Sequence, residues 1–352
     1  MKIAITADLH LRSREQRPER FAALENIFAQ LRAMQAQTLI IAGDLFDAQF
    51  DNFAEFEALC RQPENRSIQV LIIPGNHDPN LTQAAFTAEN VRVFSQPELV
   101  APEPGGANFL LIPYRDGRSM GDVLSAFQGQ LQPRRWVLVG HGDWMGNARA
   151  AKTYESGVYM PLSQRELDIF APARAFLGHI HAPSDGPIVW YPGSPCGMDI
   201  SETGRRRFLV YDPASNYVET RLVDTQMIFF NRAFTVYPVE DEAAALTEML
   251  QSWIADWGLA PGERSKVRVR VRLNGYATDK NRLKQAVLSN LDGCQLESEP
   301  DLADVSVTTD IRRGQVVDLV RKKIAELGWA AGPDEPERDA VLLAAIKRVY
   351  GR

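Results

Sequence analysis

The five histidines of this 352-residue chain all fall in or beside short polar clusters. These read Asp8-Leu9-His10, Gly43-Asp44, Gly75-Asn76-His77-Asp78, Gly140-His141 and Gly178-His179-Ile180-His181. Asp8 and His10, like His179 and His181, are two apart, so on a strand end each pair projects to one side. Carboxylate, imidazole and amide oxygen together suit first-row divalent ions such as Mn, Fe or Zn. The imidazoles are too many for Mg or Ca. Seven or eight candidate ligands exceed the four to six that one ion uses. Two ions sharing a carboxylate, about 3.5–4 Å apart, account for the surplus. Such a pair activates water at neutral pH and clamps the oxygens of an in-line displacement at phosphorus. A lone histidine is more often a packed or surface residue than a ligand. Five of five in such clusters is a different matter.

Each cluster closes a short apolar run: Lys2–Ala7, Thr38–Ala42, Val70–Pro74, Trp136–Val139 and Arg174–Leu177. Runs of this length rich in Ile, Leu and Val and closed by a polar turn read as buried strands. Between them, Phe21, Leu24, Ile27, Phe28, Leu31 and Met34 recur at spacings of three and four, which predicts a helix with one apolar face. Strands alternating with helices predict a layered α/β domain, and ligands in such domains bind beyond the carboxyl ends of the strands. All the clusters would meet there. Ile188–Tyr191, Arg207–Tyr211 and Tyr217–Leu222 read as further strands closing the same domain.

Composition narrows the setting. A 45% hydrophobic, 24% charged chain is an ordinary globular protein, long enough for two domains. Cys60, Cys196 and Cys294 are odd in number and scattered, which argues against a disulfide framework and fits a reducing cytoplasm. No apolar run approaches the roughly 18–20 residues of a membrane span. The first apolar run is shorter than the roughly 7–15 residues of a signal peptide core. With 39 Lys+Arg against 45 Asp+Glu, the net charge of −6 exerts no global pull on nucleic acid. Glu263–Lys284, however, is net +6, leaving −12 on the remainder. Within it Arg268, Arg270 and Arg272 alternate with valines, placing three arginines on one strand face. That face is either simply solvated or a phosphate-backbone contact.

The five clusters, in this order, resemble the calcineurin-like metallophosphoesterase superfamily. Gly43-Asp44-Leu45-Phe46-Asp47 and Tyr191-Pro192-Gly193-Ser194-Pro195 resemble its SbcD-type DNA-repair nucleases. Asp47 followed by Ala48-Gln49, and Asp78 after His77, differ from the Ser/Thr protein phosphatase pattern. The resemblance implies two divalent ions, with Mn(II) the expected metal. It implies Asp8, His10, Asp44 and His181 on one, and Asn76, His141, His179 and the bridging Asp44 on the other. It also implies His77 over the scissile phosphate, held by Asp78. Asp47 reads equally as a partner of that machinery or as a helix cap, and Asp143 as a rim or turn residue. The chain departs from the family at Arg12, where glycine is common. Arg12 opens an arginine-rich loop with Arg14, Arg17 and Arg20, past which substrate would enter.

Three segments are expected. Residues 1–228 would be an α/β layered β-sandwich nuclease domain with flanking helices. Residues 229–310 would be a small α+β capping domain, and 311–352 a C-terminal helical segment. The capping domain reads as strand 234–237, helix 240–257, strand 266–273, helix 278–291 and strand 294–299. The C-terminal patterns, 315–327 and 336–350, are separated by Gly332-Pro333-Asp334 and either pack on the body or dock a partner. By resemblance the partners are DNA, an SbcC-like SMC-family ATPase and a second copy in a homodimer. Two other readings stay open: a phosphodiesterase for small molecules such as cyclic nucleotides or nucleotide-sugar lipids, and a metal-bound scaffold for DNA ends or a partner.

Overall fold

The computed structural model describes residues 2–48, 50, 52–102, 106–146, 157–327, 336 and 338–351. Two compact units form, Met1–Met198 with Arg205–Met227, and Asp199–Gly204 with Ile228–Arg352.

The first unit is the expected layered α/β sandwich. Its first sheet holds β1 (Ile3–Thr6), β2 (Thr38–Ala42), β3 (Gln69–Ile73) and β4 (Val91–Val93), all parallel. β11 (Arg207–Asp212) runs antiparallel to β1, and β12 (Tyr217–Leu222) antiparallel to β11. The second sheet runs β5 (Glu98–Val100), β6 (Asn108–Ile112), β7 (Trp136–His141), β8 (Arg174–Gly178), β10 (Val189–Tyr191) and β9 (Ser184–Asp185). Its inner four strands are parallel. The strands carrying the clusters divide three and two between these sheets.

The period-two alternation explains why the strands read as continuous apolar runs. Ile3, Ile5, Ile40, Leu71 and Ile73 meet Phe109, Leu111, Val137, Val139 and Phe176 between the sheets. The alternate residues Ala4, Leu39, Ile41, Val70 and Ile72 face α1 (Pro18–Ala33) and α2 (Ala54–Arg61). Leu110, Ile112, Leu138, Ala175 and Leu177 face α3 (Met120–Phe127) and α4 (Gln164–Phe170). Both faces of the central strands are covered, so their middles are apolar on both sides and polar residues fall at their ends, such as Thr38 and Gln69. Each fully buried Leu or Ile contributes about 1.5–3 kcal/mol. α1 starts at Pro18, whose fixed φ suits the first helical turn, and buries Phe21, Leu24, Ile27, Phe28 and Leu31 as predicted.

In the second unit β13 (Ile228–Val236) pairs parallel with β14 (Val267–Ala277), which also pairs β15 (Gln295–Leu296) and β16 (Asp301–Val307). α5 (Glu242–Ala255) and α6 (Lys280–Asn290) pack on one face through Leu246, Leu250, Leu283 and Val287. The strand predicted at 234–237 instead begins at Ile228. β16 was missed altogether because it reads Asp-Leu-Ala-Asp-Val-Ser-Val, with acids where apolar residues were sought. The C-terminal helices are α7 (Ile311–Glu326) and α8 (Arg338–Tyr350), and the Gly332-Pro333-Asp334 break lies outside the described residues. Val317 and Ile346 are buried beside Tyr276, whose ring stacks on Tyr350 at 4.3 Å, whereas Val316, Leu319 and Leu327 are exposed. Among the described residues no helix is long and apolar enough to cross a membrane.

Candidate metal centre

All seven expected ligands converge at the carboxyl ends of β1, β2, β3, β7 and β8. Asp8, His10 and His181 have ligand atoms within 4.8 Å of one another, as do Asp8, Asp44 and His141, and also His10, Asp44 and His77. The route to convergence differs from the strand-alternation reading. β1 ends at Thr6 and β8 at Gly178, so the paired residues lie beyond the strands. Asp8, His10, Asp44 and His179 each adopt positive φ, at 54°, 46°, 50° and 94°. Four non-glycine residues in that region mark a backbone held against its own preference by the surrounding fold. His10 N–H donates to Asp44 O at 3.0 Å and Asp8 N–H to Gly43 O at 3.1 Å, which ties the two loops together.

The glycines ahead of the ligands supply space. A Cβ on Gly43 would come within 2.1 Å of His141 Nδ1, and one on Gly75 within 2.2 Å of Asp44 Oδ1. Any side chain at either position would collide with the site.

Hydrogen bonds choose which imidazole nitrogen faces inward. His141 Nδ1 lies 2.9 Å from Ala42 O and is therefore the donor, which leaves Nε2 for Asn76 Oδ1 at 2.8 Å and Asp44 Oδ2 at 3.3 Å. His179 turns the other way. Its Nδ1 lies 3.0 Å from Asn76 Oδ1, while Nε2 lies 3.7 Å from Asp143 Oδ1. Asp143 is thus buried behind a ligand and held by Tyr159 N–H at 2.7 Å, a correction to its reading as rim. His10 Nε2 stands 3.6 Å from Asp44 Oδ2, so that one oxygen lies between imidazoles of both expected half-sites. Asp44 Oδ1 accepts the His77 N–H at 2.8 Å.

The electrostatics match cation ligation. His10 Nε2 and His181 Nε2 stand 3.0 Å apart. Burial pushes the His10 imidazole down to about 3, against the opposing pull of Asp44. Asp8 is fully buried and pushed up to about 6 by that burial. Its Oδ1 accepts the His179 N–H at 2.8 Å, but its buried Oδ2 has no hydrogen-bond partner among the described residues. Burial also presses Asp44 upward, yet His141 and His10 outweigh it and hold the carboxyl well below the usual range. An orphaned buried carboxylate oxygen beside converging imidazole nitrogens is costly without a cation and satisfied with one. The donor set fits divalent metal.

One expected role moves. Both Asp78 oxygens are taken by backbone: Oδ1 by Gly75 N–H at 2.7 Å and Oδ2 by Phe46 N–H at 3.1 Å. Asp78 therefore ties the Gly75–His77 loop to the Gly43–Asp47 loop and does not hold the His77 ring. Asp47 faces that ring, with Oδ1 3.8 Å from Nδ1, and the Asp44 carboxylate also lies near it. Asp47 also accepts from Arg12 Nε at 2.7 Å. Despite burial, His77 and Arg12 hold its carboxyl below the usual range. Arg20, read as part of the arginine-rich loop, is instead buried on α1 and donates to His10 O and to Asp47. No sequence signal marked it, since nothing in the spacing of arginines distinguishes one that turns inward.

In the second unit Arg268, Arg270 and Arg272 share one face of β14, while Val267, Val269 and Val271 are buried on the other. Arg270 Nε donates to Asn231 Oδ1 at 3.2 Å, Arg268 Nε lies 3.5 Å from Glu297, and Arg272 is exposed.

The calcineurin-like phosphoesterase family matches residues 1–211, and the chain belongs to that family. It is a phosphoester hydrolase whose family binds divalent metal. The structure of a novel archaeal phosphodiesterase aligns with 63% of this chain and 100% of its own length, at 15% identity and a TM-score of 0.35. No curated protein matches.

Proposed function

We propose that this protein is a DNA phosphodiesterase of the SbcD type, working with two divalent ions, expected to be Mn(II). The observation that carries the reading is the convergence of the ligand set with Asp44 between the two expected half-sites, its Oδ2 3.6 Å from His10 Nε2 and 3.3 Å from His141 Nε2. Asp8, His10, Asp44 and His181 would hold one ion, and Asp44, Asn76, His141 and His179 the other. When bound, the ions activate water as the nucleophile and neutralise charge on the phosphate oxygens.

The chain's own residues supply the rest. His77 is half-buried, its N–H anchored on Asp44 and its Nδ1 turned to Asp47. The ring would stabilise charge on the phosphate or protonate the leaving oxygen. Asp47 places a carboxylate beside the ring, 3.8 Å from Nδ1. Asp78 sets where the loop carrying Asn76 and His77 stands. His10, kept neutral by burial, and His181 would each offer a ring nitrogen, and Asp143 faces the other nitrogen of His179.

DNA as substrate is supported by the arginine face of β14, where clustered guanidinium groups give sequence-blind, salt-dependent affinity for phosphate backbones. Under this reading the exposed Val316 and Leu319 of α7, with Leu327 at its end, meet an SMC-family ATPase, and the protein works as a homodimer. The test is Mn(II)-dependent digestion of end-labelled duplex DNA beside bis-p-nitrophenyl phosphate. Cutting of both supports the proposal. Turnover of the small diester with intact DNA assigns the site to small phosphodiesters, and turnover of neither assigns it to a scaffold.

A further inference from the structure

Two buried arginines stand behind the facing histidines. Arg20, in the first turn of α1, is 6% exposed and donates through Nη1 to the backbone carbonyl of His10. Arg206, immediately before β11, is 2% exposed and donates through Nη2 to the backbone carbonyl of His181 and to Ser194 Oγ. Its Nε donates to Ser194 O at 2.8 Å. The two histidines so braced are the pair whose Nε2 atoms stand 3.0 Å apart. One brace comes from a helix and the other from the opposite end of the unit's sequence, yet both act on the same relationship.

Burying a guanidinium is expensive unless its donors are used. A strand-end carbonyl needs only one donor, and water supplies that elsewhere. The charge is also badly placed for simple electrostatics, because a cation held by His10 and His181 would be repelled by guanidinium groups behind them. What each arginine provides is a rigid fork that fixes a loop residue outside any regular element; His10 itself sits at φ 46°.

We propose that Arg20 and Arg206 are positioning residues for one metal half-site, holding His10 and His181 at the separation that a shared cation requires. The proposal rests on the metal-centre reading above. It carries a sign that separates it from electrostatics. Coulomb repulsion alone makes loss of either guanidinium tighten metal binding, whereas lost positioning weakens it, and only at the half-site containing His10 and His181.

The test is Mn(II) titration of the full-length, metal-stripped chain, followed by calorimetry and by the free-Mn(II) electron paramagnetic resonance signal. His181→Ala and His179→Ala mark the two binding steps. Arg20→Gln and Arg206→Gln are expected to weaken the step that His181→Ala removes by about tenfold to a hundredfold, leaving the other step near wild type. Arg20→Lys and Arg206→Lys keep the charge without the fork and are expected to weaken the same step; they decide the matter if a Gln variant fails to fold by circular dichroism. An unchanged or tightened step, or equal weakening of both, overturns the proposal. A wild-type chain that takes up no Mn(II) overturns the metal-centre reading first, which keeps the two failures apart.

Discussion

Asp47 Oδ1 stands 3.8 Å from His77 Nδ1, while the neighbouring Asp78 spends both oxygens on the backbone of Gly75 and Phe46. Two carboxylates close in sequence to the same machinery therefore fail differently when altered. Asp47→Asn is expected chiefly to lower turnover, by about tenfold to a hundredfold, because it removes the anion facing His77 Nδ1. Asp78→Asn leaves one backbone N–H facing an amide N–H₂ and is expected to cost about 1–3 kcal/mol of stability. Steady-state kinetics beside urea unfolding separate the two. Equal behaviour of the variants would contradict the assignment.

Metal removal follows from the orphaned Asp8 Oδ2 and the buried Asp44. A chelated protein is expected to melt at lower temperature and to recover with Mn(II), by about 2.7 kcal/mol at a hundredfold excess over Kd. His141→Ala should lose most of that recovery. Thermal unfolding with and without EDTA measures it.

The affinity for metal should rise with pH. Burial disfavours a charged His141, but Asp44 and Asp8 outweigh it and push the imidazole up to about 9. The raised value means that the metal-free fold holds this proton tightly at lower pH and releases it only as pH rises through 9. A cation must displace that proton, so apparent affinity is expected to rise by about tenfold per pH unit while one proton is exchanged. Calorimetry in buffers of different ionisation enthalpy counts the proton; pH-independent affinity with no proton release would contradict the expectation.

If the arginine face of β14 holds DNA, the Arg268→Ala/Arg270→Ala/Arg272→Ala triple variant should bind duplex more weakly whatever the sequence. Its log–log salt slope should fall by up to about 2.7, at about 0.9 per lost phosphate contact. Hydrolysis of bis-p-nitrophenyl phosphate should not change. A salt slope equal to that of the wild type would return this face to plain solvation.

Val317 and Leu319 lie two apart on α7 but differ in burial, at 1% and 63% exposed. Leu319→Glu is expected to leave stability intact and to abolish pull-down of an SMC-family ATPase, while Val317→Asp destabilises the second unit by several kcal/mol through an unpaired buried charge. Retained association in Leu319→Glu would remove the docking assignment.

Much of this was legible in the residues. Strand-end clusters such as Gly75-Asn76-His77-Asp78 can be read because buried parallel strands are apolar throughout and stop abruptly at polar residues. What stayed hidden depends on side-chain direction. Nothing local distinguishes Asp47 from Asp78 as the partner of His77, or Arg20 from Arg12 as the arginine that turns inward, because each choice is made by contacts between loops far apart in sequence. The left-handed backbone at Asp8, His10, Asp44 and His179 is equally silent in the sequence, since Asp and His enter that region more often than most residues but far too seldom for their presence to announce it. β16 escaped because its acids sit on an exposed face.

The proposal that two ions share Asp44 is tested most directly by electron paramagnetic resonance of the chain loaded with two equivalents of Mn(II). Exchange-coupled Mn(II) in the wild type, with the coupling lost in Asp44→Asn, is the expected result. Uncoupled single-ion spectra at full loading, or coupling that survives Asp44→Asn, would contradict a dinuclear centre built on this carboxylate.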